Sequence, residues 1–247
     1  MLAFFHEYLY VPIYNFLIYL VGVLPGADVG LAVIMVTLVV KVVTMPLSFS
    51  ALKTQRAMKE IEPLLKELKE KYKDDKEKQA KEMFALYKEY GIKPFSSILM
   101  MFIQIPIVIS LFLVFQKEPL DKVNPEILYS FIQDPGTFSP LLFGIFLISG
   151  HHLVLALLAG VTQLIQAHYA IPVPPKSEKT ASTPESMQAE FGRALAIQAR
   201  YILPVVIAVV AYASGAIALY LITSNLVGIL QEFIVRKKNL RGTPVKV

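Results

Sequence analysis

A single lysine interrupts the long apolar stretch LAVIMVTLVVKVVTMPLSF, residues 31–49. In a helix that rises 1.5 Å per residue, Lys41 would lie about 16 Å from Gly30, near the middle of a bilayer whose hydrocarbon core is about 30 Å thick. An ammonium group at that depth costs about 2.5–3.5 kcal/mol on insertion scales. Lys41 therefore needs an acidic partner, a route to the membrane surface, or water around it.

The apolar runs offer Lys41 polar neighbours rather than an acidic one. Their only carboxylate is Glu232, near the end of the last run, which disfavours an ion pair. Uncharged polar side chains are more frequent: Thr37, Thr44, Gln104, Ser110, Thr162, Gln163, Gln166, Tyr220, Ser224 and Asn225. They predict a polar, hydrated cavity around a charged Lys41. Two alternatives stay open: the polar residues hydrogen-bond between helices, and the lysine is neutral.

The composition indicates a helical membrane protein that crosses the bilayer several times. Hydrophobic residues make up 55% of the 247 residues and charged residues 17%, whereas a soluble domain carries about 25% charged residues. The chain has no cysteine, which excludes disulfides and thiolate metal sites. The sequence shows no phosphate-binding loop, catalytic triad or metal-ligand spacing, and His151–His152 is interpreted as interfacial. We therefore predict no enzyme activity, no cofactor and no metal.

Apolar runs of about 20 residues mark the expected spans. They predict five transmembrane helices: 29–52, 94–115, 152–170 and two within 201–235, which separate at the ASG of Ala213–Gly215. The remaining segments are an N-terminal interfacial helix at 1–28, a helical hairpin at 53–93, a loop at 116–151, a flexible loop at 171–200 and a basic tail at 236–247. A sixth span within 2–24 is the alternative to the interfacial helix.

The distribution of lysine and arginine predicts the orientation of the chain. These residues crowd into 53–93, 171–200 and 236–247, and they are scarce before residue 29 and in 116–151. Because cytoplasmic loops carry the excess of basic residues, the basic segments are expected in the cytoplasm and the N-terminus outside. An odd number of spans satisfies this arrangement.

The segment 53–93 carries two apolar stripes with helical spacing. The stripes are Ile61, Leu64, Leu65, Leu68 and Tyr72, then Ala80, Met83, Phe84, Tyr87 and Tyr90. Two helices joined near Asp74–Asp75 would form an antiparallel hairpin with these stripes face to face. The lysines on its outer face are candidate cytoplasmic contacts: Lys59, Lys66, Lys69, Lys73, Lys76 and Lys78. A solvated helix face is the alternative for each of them.

A cationic cavity inside a membrane protein suits three classes of function. An ion or small-solute transporter would more often carry carboxylates in its spans, and a structural protein would not need the charge. A protein that receives a polar, acidic piece of another polypeptide would need it. Composition and periodicity do not choose among the three.

Several motifs resemble one known family. They are MPL at residues 45–47, the charged hairpin that ends MFALYKEYGIKP, QIPI at 104–107, GVTQLIQ at 160–166 and TSNLVGILQ at 223–231. In this order they resemble the YidC-type membrane protein insertases, whose relatives are the mitochondrial oxidase-assembly and thylakoid Albino insertases. The resemblance covers residues 29–238 apart from the loop near 171–190.

The resemblance implies an all-α membrane protein with five transmembrane helices around a hydrophilic groove that opens to the cytoplasm. In the family a cation precedes the proline of the PL motif by five positions, which here is Lys41 before Pro46. Arginine is usual there, so lysine is a departure. The implied client-binding groove comprises Lys41, Thr37, Thr44, Gln104, Ser110, Gln163, Tyr220, Ser224 and Asn225.

The function implied is that of a membrane protein insertase and chaperone, with an ion or small-solute transporter as the alternative. The implied partners are client membrane proteins and the lipid bilayer, and no small-molecule substrate. The ribosome, the signal recognition particle and the Sec translocon are further candidate partners. The implied location is the bacterial plasma (inner) membrane, with the N-terminus outside and the C-terminus in the cytoplasm.

Overall fold

The structure is a computed structural model that describes residues 5–93, 95–118, 121–148, 150–171 and 184–239. Most of the described chain is helical. In chain order the helices are α1 (Val11–Val23), α2 (Val29–Glu60), α3 (Glu62–Lys71), α4 (Lys76–Glu89), α5 (Phe95–Lys117), α6 (Leu153–Ala170), α7 (Pro184–Ile197), α8 (Leu203–Tyr212) and α9 (Gly215–Asn239). A π-helical turn at His6–Tyr10 precedes α1, and another at Gln198–Ile202 joins α7 to α8.

Four helical stretches within the described residues are long and apolar enough to cross a membrane. They are Val29–Glu60, Leu153–Ala170, Glu190–Tyr212 and Gly215–Lys237. The fifth predicted span corresponds to α5, which has 23 residues and a described apolar stretch at Phe102–Lys117. The predicted fold class, an all-α membrane protein, is confirmed.

The chain divides into two compact units: Met1–Lys41 with Ile107–Leu230, and Val42–Pro106 with Gln231–Val247. In the larger unit, an apolar core joins α1 and the first part of α2 to the C-terminal end of α5 and the N-terminal end of α9. Its largest fully buried apolar side chains are Tyr14, Val21, Val29, Val33, Val36, Leu111, Val114, Ile148 and Ile217. Gly215 allows a close approach of two backbone segments, because a Cβ atom there would lie 2.7 Å from the carbonyl oxygen of Ile148.

The N-terminal helix of the larger unit is fixed to the loop after α5 by buried polar groups. The side-chain amide of Asn15, 1% exposed, donates to the carbonyl of Ile127 at 2.7 Å, and its oxygen accepts from the backbone N–H of Tyr129 at 2.7 Å. The hydroxyl of Tyr10 donates to the carboxylate of Glu118. Burial and this carboxylate raise the pKa of Tyr10, so the phenol keeps its proton. Asn15 thus provides hydrogen-bond partners for two backbone groups of a loop that has little regular secondary structure.

The loop before α6 contains a short β-hairpin, which the sequence did not predict. Strand β1 (Leu141–Leu142) pairs antiparallel with β2 (Phe146–Leu147), in the register Leu141↔Leu147 and Leu142↔Phe146. In the turn, Phe143 and Gly144 both have positive φ, at 52° and 69°. A bulky residue rarely adopts this conformation, so Phe143 gave no turn signal. Asp28 supports the turn, because its carboxylate accepts from the backbone N–H of Phe143 at 2.6 Å.

The smaller unit contains the two helices of the predicted hairpin. Helix α2 runs on past the predicted span end at residue 52 and stops at Glu60, so the hairpin proper starts at Glu62 rather than Lys53. Pro63 explains the break, because it lacks the N–H that would continue α2 and its ring is tolerated in the first turn of α3. The Asp75 side chain caps α4 by accepting from the backbone N–H of Lys78 at 2.9 Å.

The contact between α3 and α4 rests on a small apolar core. Ile61, Leu65 and Ile92 are buried in it, and they are packed against Ala57, Met58, Met83, Leu86, Tyr87 and Tyr90. Five residues of the predicted stripes lie outside this core: Leu64, Leu68, Tyr72, Ala80 and Phe84. Three of them, Leu64, Ala80 and Phe84, are exposed. The prediction was wrong for these five, because the hairpin buries a narrower stripe than the sequence pattern spans.

The predicted flexible loop at 171–200 is wrong for its second half. Residues from Pro184 onward are helical, and the apolar span begins at Glu190 rather than near Tyr201. Arg193 and Arg200 indicated a loop in the sequence, but arginine is a good helix former. Residues 172–183 of the predicted loop, and residues 240–247 of the predicted tail, lie outside the described residues.

Candidate functional site

Lys41 lies on a polar stripe of α2. Thr37, Lys41, Thr44 and Ser48 follow at intervals of four, three and four residues, which places them on one helix face. Lys41 is partly buried, whereas the two threonines are buried. The hydroxyl of Thr37 donates to the carbonyl of Val33 at 2.7 Å, and the Ser48 hydroxyl donates to the carbonyl of Thr44 at 3.1 Å. The polar face of α2 therefore satisfies part of its own hydrogen bonding.

Asn225 and Thr162 form a hydrogen bond between α9 and α6. The side-chain amide of Asn225 donates to the hydroxyl of Thr162 at 3.2 Å and approaches the carbonyl of Ala159 at 3.4 Å. Thr162 in turn donates to the carbonyl of Leu158 at 2.9 Å. Asn225 is 3% exposed. These two side chains therefore link helices, which is the alternative role that the sequence left open for them.

The other polar residues of α6 and α9 lie at different depths. Tyr220 is buried, and Gln163 and Ser224 are partly buried. Gln166 lies directly against Gly228, since a Cβ atom on this glycine would lie 2.3 Å from the Gln166 amide nitrogen. The glycine thus provides the space that the glutamine side chain occupies on the facing helix.

Two predicted site residues have buried polar atoms without a hydrogen-bond partner among the described residues. They are the hydroxyl of Ser110 in the larger unit and the side-chain oxygen of Gln104 in the smaller unit. Buried polar groups are nearly always paired with protein or with ordered water. Each atom therefore marks a position where water is the expected partner.

Glu232 has a partner that the sequence did not reveal. In the smaller unit, Arg56 Nη2 lies 2.7 Å from the Glu232 carboxylate and donates to the Glu232 carbonyl at 3.2 Å. The side chains are 21% and 6% exposed. The charge of the one carboxylate in the predicted spans is therefore balanced by Arg56. Neither residue was in the predicted site, because a pair 176 positions apart leaves no local signal.

The lysines of the predicted contact surface extend from the end of α2 to the start of α4. All six of them are exposed: Lys59, Lys66, Lys69, Lys73, Lys76 and Lys78. Lys66 pairs with Glu62 at 2.9 Å, and Lys78 lies 5.2 Å from the ring centre of Tyr72. Exposed contacts of this kind contribute little to stability. The described residues contain no group of three metal-ligating side chains.

Comparison with known proteins identifies the family. The sequence model of the 60Kd inner membrane protein family matches residues 21–241. Three similar relatives carry the name membrane protein insertase YidC. The Clostridium tetani protein is 28% identical over 86% of this chain and 84% of its own length. The Francisella philomiragia protein is 31% identical over 96% of this chain and 36% of its own length.

The third relative, from Chlorobium limicola, is 31% identical over 66% of this chain and 27% of its own length. The chain therefore spans most of the Clostridium protein, about a third of the Francisella protein and about a quarter of the Chlorobium protein. This family is the one that the sequence motifs resemble, so the prediction of the family is confirmed. On the extent of the family match, this chain belongs to the 60Kd inner membrane protein family.

Proposed function

We propose that this chain is a membrane protein insertase of the YidC type. The observation that carries the proposal is the family match over residues 21–241, together with relatives named as insertases. It is supported by a partly buried lysine on a polar stripe within the apolar part of α2. A bilayer-spanning helix needs no such charge for its own stability.

Lys41 acts in this proposal as the attraction for an acidic segment of a client. Water near Ser110, whose hydroxyl lacks a protein partner among the described residues, lowers the desolvation cost of that segment. The apolar helix of the client then enters the lipid. Its burial supplies the driving force, at about 25 cal/mol per Å² of apolar surface. Transfer therefore requires no covalent step from the protein.

The proposed orientation follows the basic residues. The hairpin α3–α4 and the C-terminal end of α9 lie in the cytoplasm, and the N-terminal helix α1 lies outside at the membrane surface. The family and the apolar helices support a location in the inner membrane. The hairpin lysines are then available to client segments, to the ribosome, to the signal recognition particle or to the Sec translocon.

Insertion of one client into proteoliposomes tests the role of Lys41. The client is a single apolar helix with an acidic tail, and a second version has the acids replaced by amides. Lys41→Arg should insert the acidic client as well as the native protein. Lys41→Glu should reduce insertion about tenfold. A tenfold change corresponds to about 1.4 kcal/mol, which is less than the repulsion of about 4 kcal/mol between two like charges about 4 Å apart near a protein surface. The amide client should respond much less to either change.

Lys122→Glu is the matched control, since it reverses the same charge at an exposed position outside both the predicted groove and the contact lysines. It should leave insertion within about twofold, because exposed charges are screened. Equal insertion by Lys41→Arg and Lys41→Glu would contradict the proposed role of Lys41. Ion flux through the same vesicles that depends on Lys41, without insertion of either client, would instead support a transporter.

A further inference from the structure

An arginine lies on the apolar surface formed by α6 and the helical stretch Glu190–Tyr212. Arg200 sits in the π-helical turn Gln198–Ile202, about 18 Å along the helix from Tyr212. Only 11% of the span Glu190–Tyr212 is buried within the protein. The exposed residues beside it include Tyr201 at 53% and Val205 at 63% exposure, together with one amide, Gln198. Arg200 therefore lies where the protein faces lipid.

The guanidinium of Arg200 contacts one imidazole. Its Nη2 is hydrogen-bonded to Nδ1 of His168, in the last turn of α6. Because a guanidinium has only donors, Nδ1 must accept, which leaves the imidazole proton on Nε2. The His168 side chain is exposed. The contact orients the guanidinium and leaves the remaining Nη donors of Arg200 for an anion.

The described residues around Arg200 do not neutralise its charge. The π-turn contacts α6, α7 and α8, and α6 and α8 contain no acidic residue. Glu190 is the one acidic side chain described in 190–202; it is exposed and about 15 Å away along the helix. Arg200 Nε is buried without a partner among the described residues. Among the described residues, the protein around this turn thus supplies donors and a positive charge, but no anion.

The depth of the pair indicates which anion is available. His168 lies about 22 Å along α6 from Leu153, close to the helix end at Ala170. For a hydrocarbon core of about 30 Å, this end of α6 lies near the headgroup level of one leaflet. The phosphate diester of a phospholipid is the anion found at that level, and its two free oxygens match an arginine fork.

We propose that Arg200 and His168 form a binding site for the phosphate of an anionic phospholipid at the lipid-facing surface between α6 and the π-turn. The bound lipid balances the charge of Arg200 and holds α6 and α8 at a fixed depth in one leaflet. The site is separate from the polar stripe of Lys41, and the proposal does not depend on insertase activity.

Because the chain has no tryptophan, a single introduced tryptophan can report the lipids around it. Tyr201→Trp places the indole next to Arg200, and Val209→Trp places it about 13 Å away on the same lipid-facing helix. Each variant is reconstituted in phosphatidylcholine with brominated phosphatidylglycerol or brominated phosphatidylcholine as quencher. At Tyr201→Trp, phosphatidylglycerol should be preferred about fivefold, the selectivity expected from one basic residue near the surface. At Val209→Trp neither lipid should be preferred.

Arg200→Gln in the Tyr201→Trp background should abolish the preference, whereas Arg193→Gln, a matched loss of charge on the same helical stretch, should leave most of it. Equal quenching by both lipids at Tyr201→Trp would overturn the site, and this comparison stands even if Arg200→Gln fails to fold. If Arg200→Gln and Arg193→Gln lost the preference for phosphatidylglycerol equally, the proposed site would also be overturned, and general attraction between the basic helix and anionic lipid would explain the preference. Inorganic phosphate that removes the preference, where potassium chloride of equal ionic strength does not, would assign the site to a soluble phosphate instead.

Discussion

At the residue scale, Asn225 and Thr162 distinguish helix linkage from groove lining. Their hydrogen bond joins α9 to α6 at 3.2 Å, and hydrogen bonds between helices in a membrane contribute about 0.6 kcal/mol on average. We expect a double-mutant cycle of Asn225→Ala and Thr162→Val to give a coupling of about that size. The measurement is the free energy of unfolding in mixed micelles.

Ser110→Ala is the control for this cycle, since it removes a buried hydroxyl that has no partner among the described residues. It should change the free energy of unfolding by less than about 0.5 kcal/mol, because only a hydrogen bond to water is lost and no protein group is left unpaired. A zero coupling between Asn225 and Thr162 would show that the two side chains do not bond, and would return Asn225 to the residues that line the groove.

Two glycines between helices should respond differently to an added methyl group. At Gly228 the new Cβ meets the end of the Gln166 side chain, whereas at Gly160 it meets Ala208 Cβ at 2.9 Å and the Pro204 carbonyl at 3.2 Å. A glutamine can change rotamer, but a backbone carbonyl cannot move without its helix. Gly160→Ala should therefore destabilise the protein by about 1–3 kcal/mol, as overpacking does, and Gly228→Ala by clearly less. Equal losses in thermal stability would contradict this difference.

At the scale of elements, the Arg56–Glu232 pair holds the end of α2 to α9 within the smaller unit. Breaking a buried ion pair leaves an uncompensated charge and costs about 3–5 kcal/mol. We expect Arg56→Glu and Glu232→Arg each to lower the free energy of unfolding by about 3 kcal/mol. The double exchange should recover part of the loss. Recovery should be incomplete, because Arg56 also donates to the Glu232 carbonyl.

The exposed pair Glu62–Lys66 provides the comparison for this exchange. Its side chains are 52% and 72% exposed, and an i,i+4 pair of this kind contributes about 0.3–0.5 kcal/mol. Exchanging its charges should therefore leave stability nearly unchanged. If both pairs responded alike to exchange, burial of Glu232 would not determine the strength of its interaction.

The sequence predicts elements where a local signal exists and misses them where the signal is tertiary. Pro63 marks the end of α2, and Lys41 stands out because its neighbours are apolar. The turn at Phe143 has no such mark, since a phenylalanine with positive φ depends on contacts supplied elsewhere, among them Asp28. Arg56 and Glu232 could not be paired from the sequence, because charges at helix ends have many candidate partners before the fold is known.

At the scale of the whole molecule, the proposed orientation depends on whether α5 crosses the membrane. The helix has 23 residues, about 34 Å in length, which is sufficient for a span. Its described apolar stretch, Phe102–Lys117, is shorter than the four other spans. With α5 across the bilayer, the hairpin and the loop after α5 lie on opposite sides. Without it, both lie on the same side, and the positive-inside arrangement fails.

Because the chain has no cysteine, two single-cysteine variants decide this question in intact cells. Lys73→Cys lies between α3 and α4, and Phe131→Cys lies in the loop after α5, where the side chain is 78% exposed. A maleimide that cannot cross the membrane should label Phe131→Cys from outside, and should label Lys73→Cys only after the cells are opened. Each variant is also labelled in detergent, which controls for reactivity. Labelling of both from the same side would show that α5 does not cross. If Lys73→Cys were labelled only from outside, the topology would be the reverse of the proposed one, and the basic hairpin could not contact cytoplasmic partners.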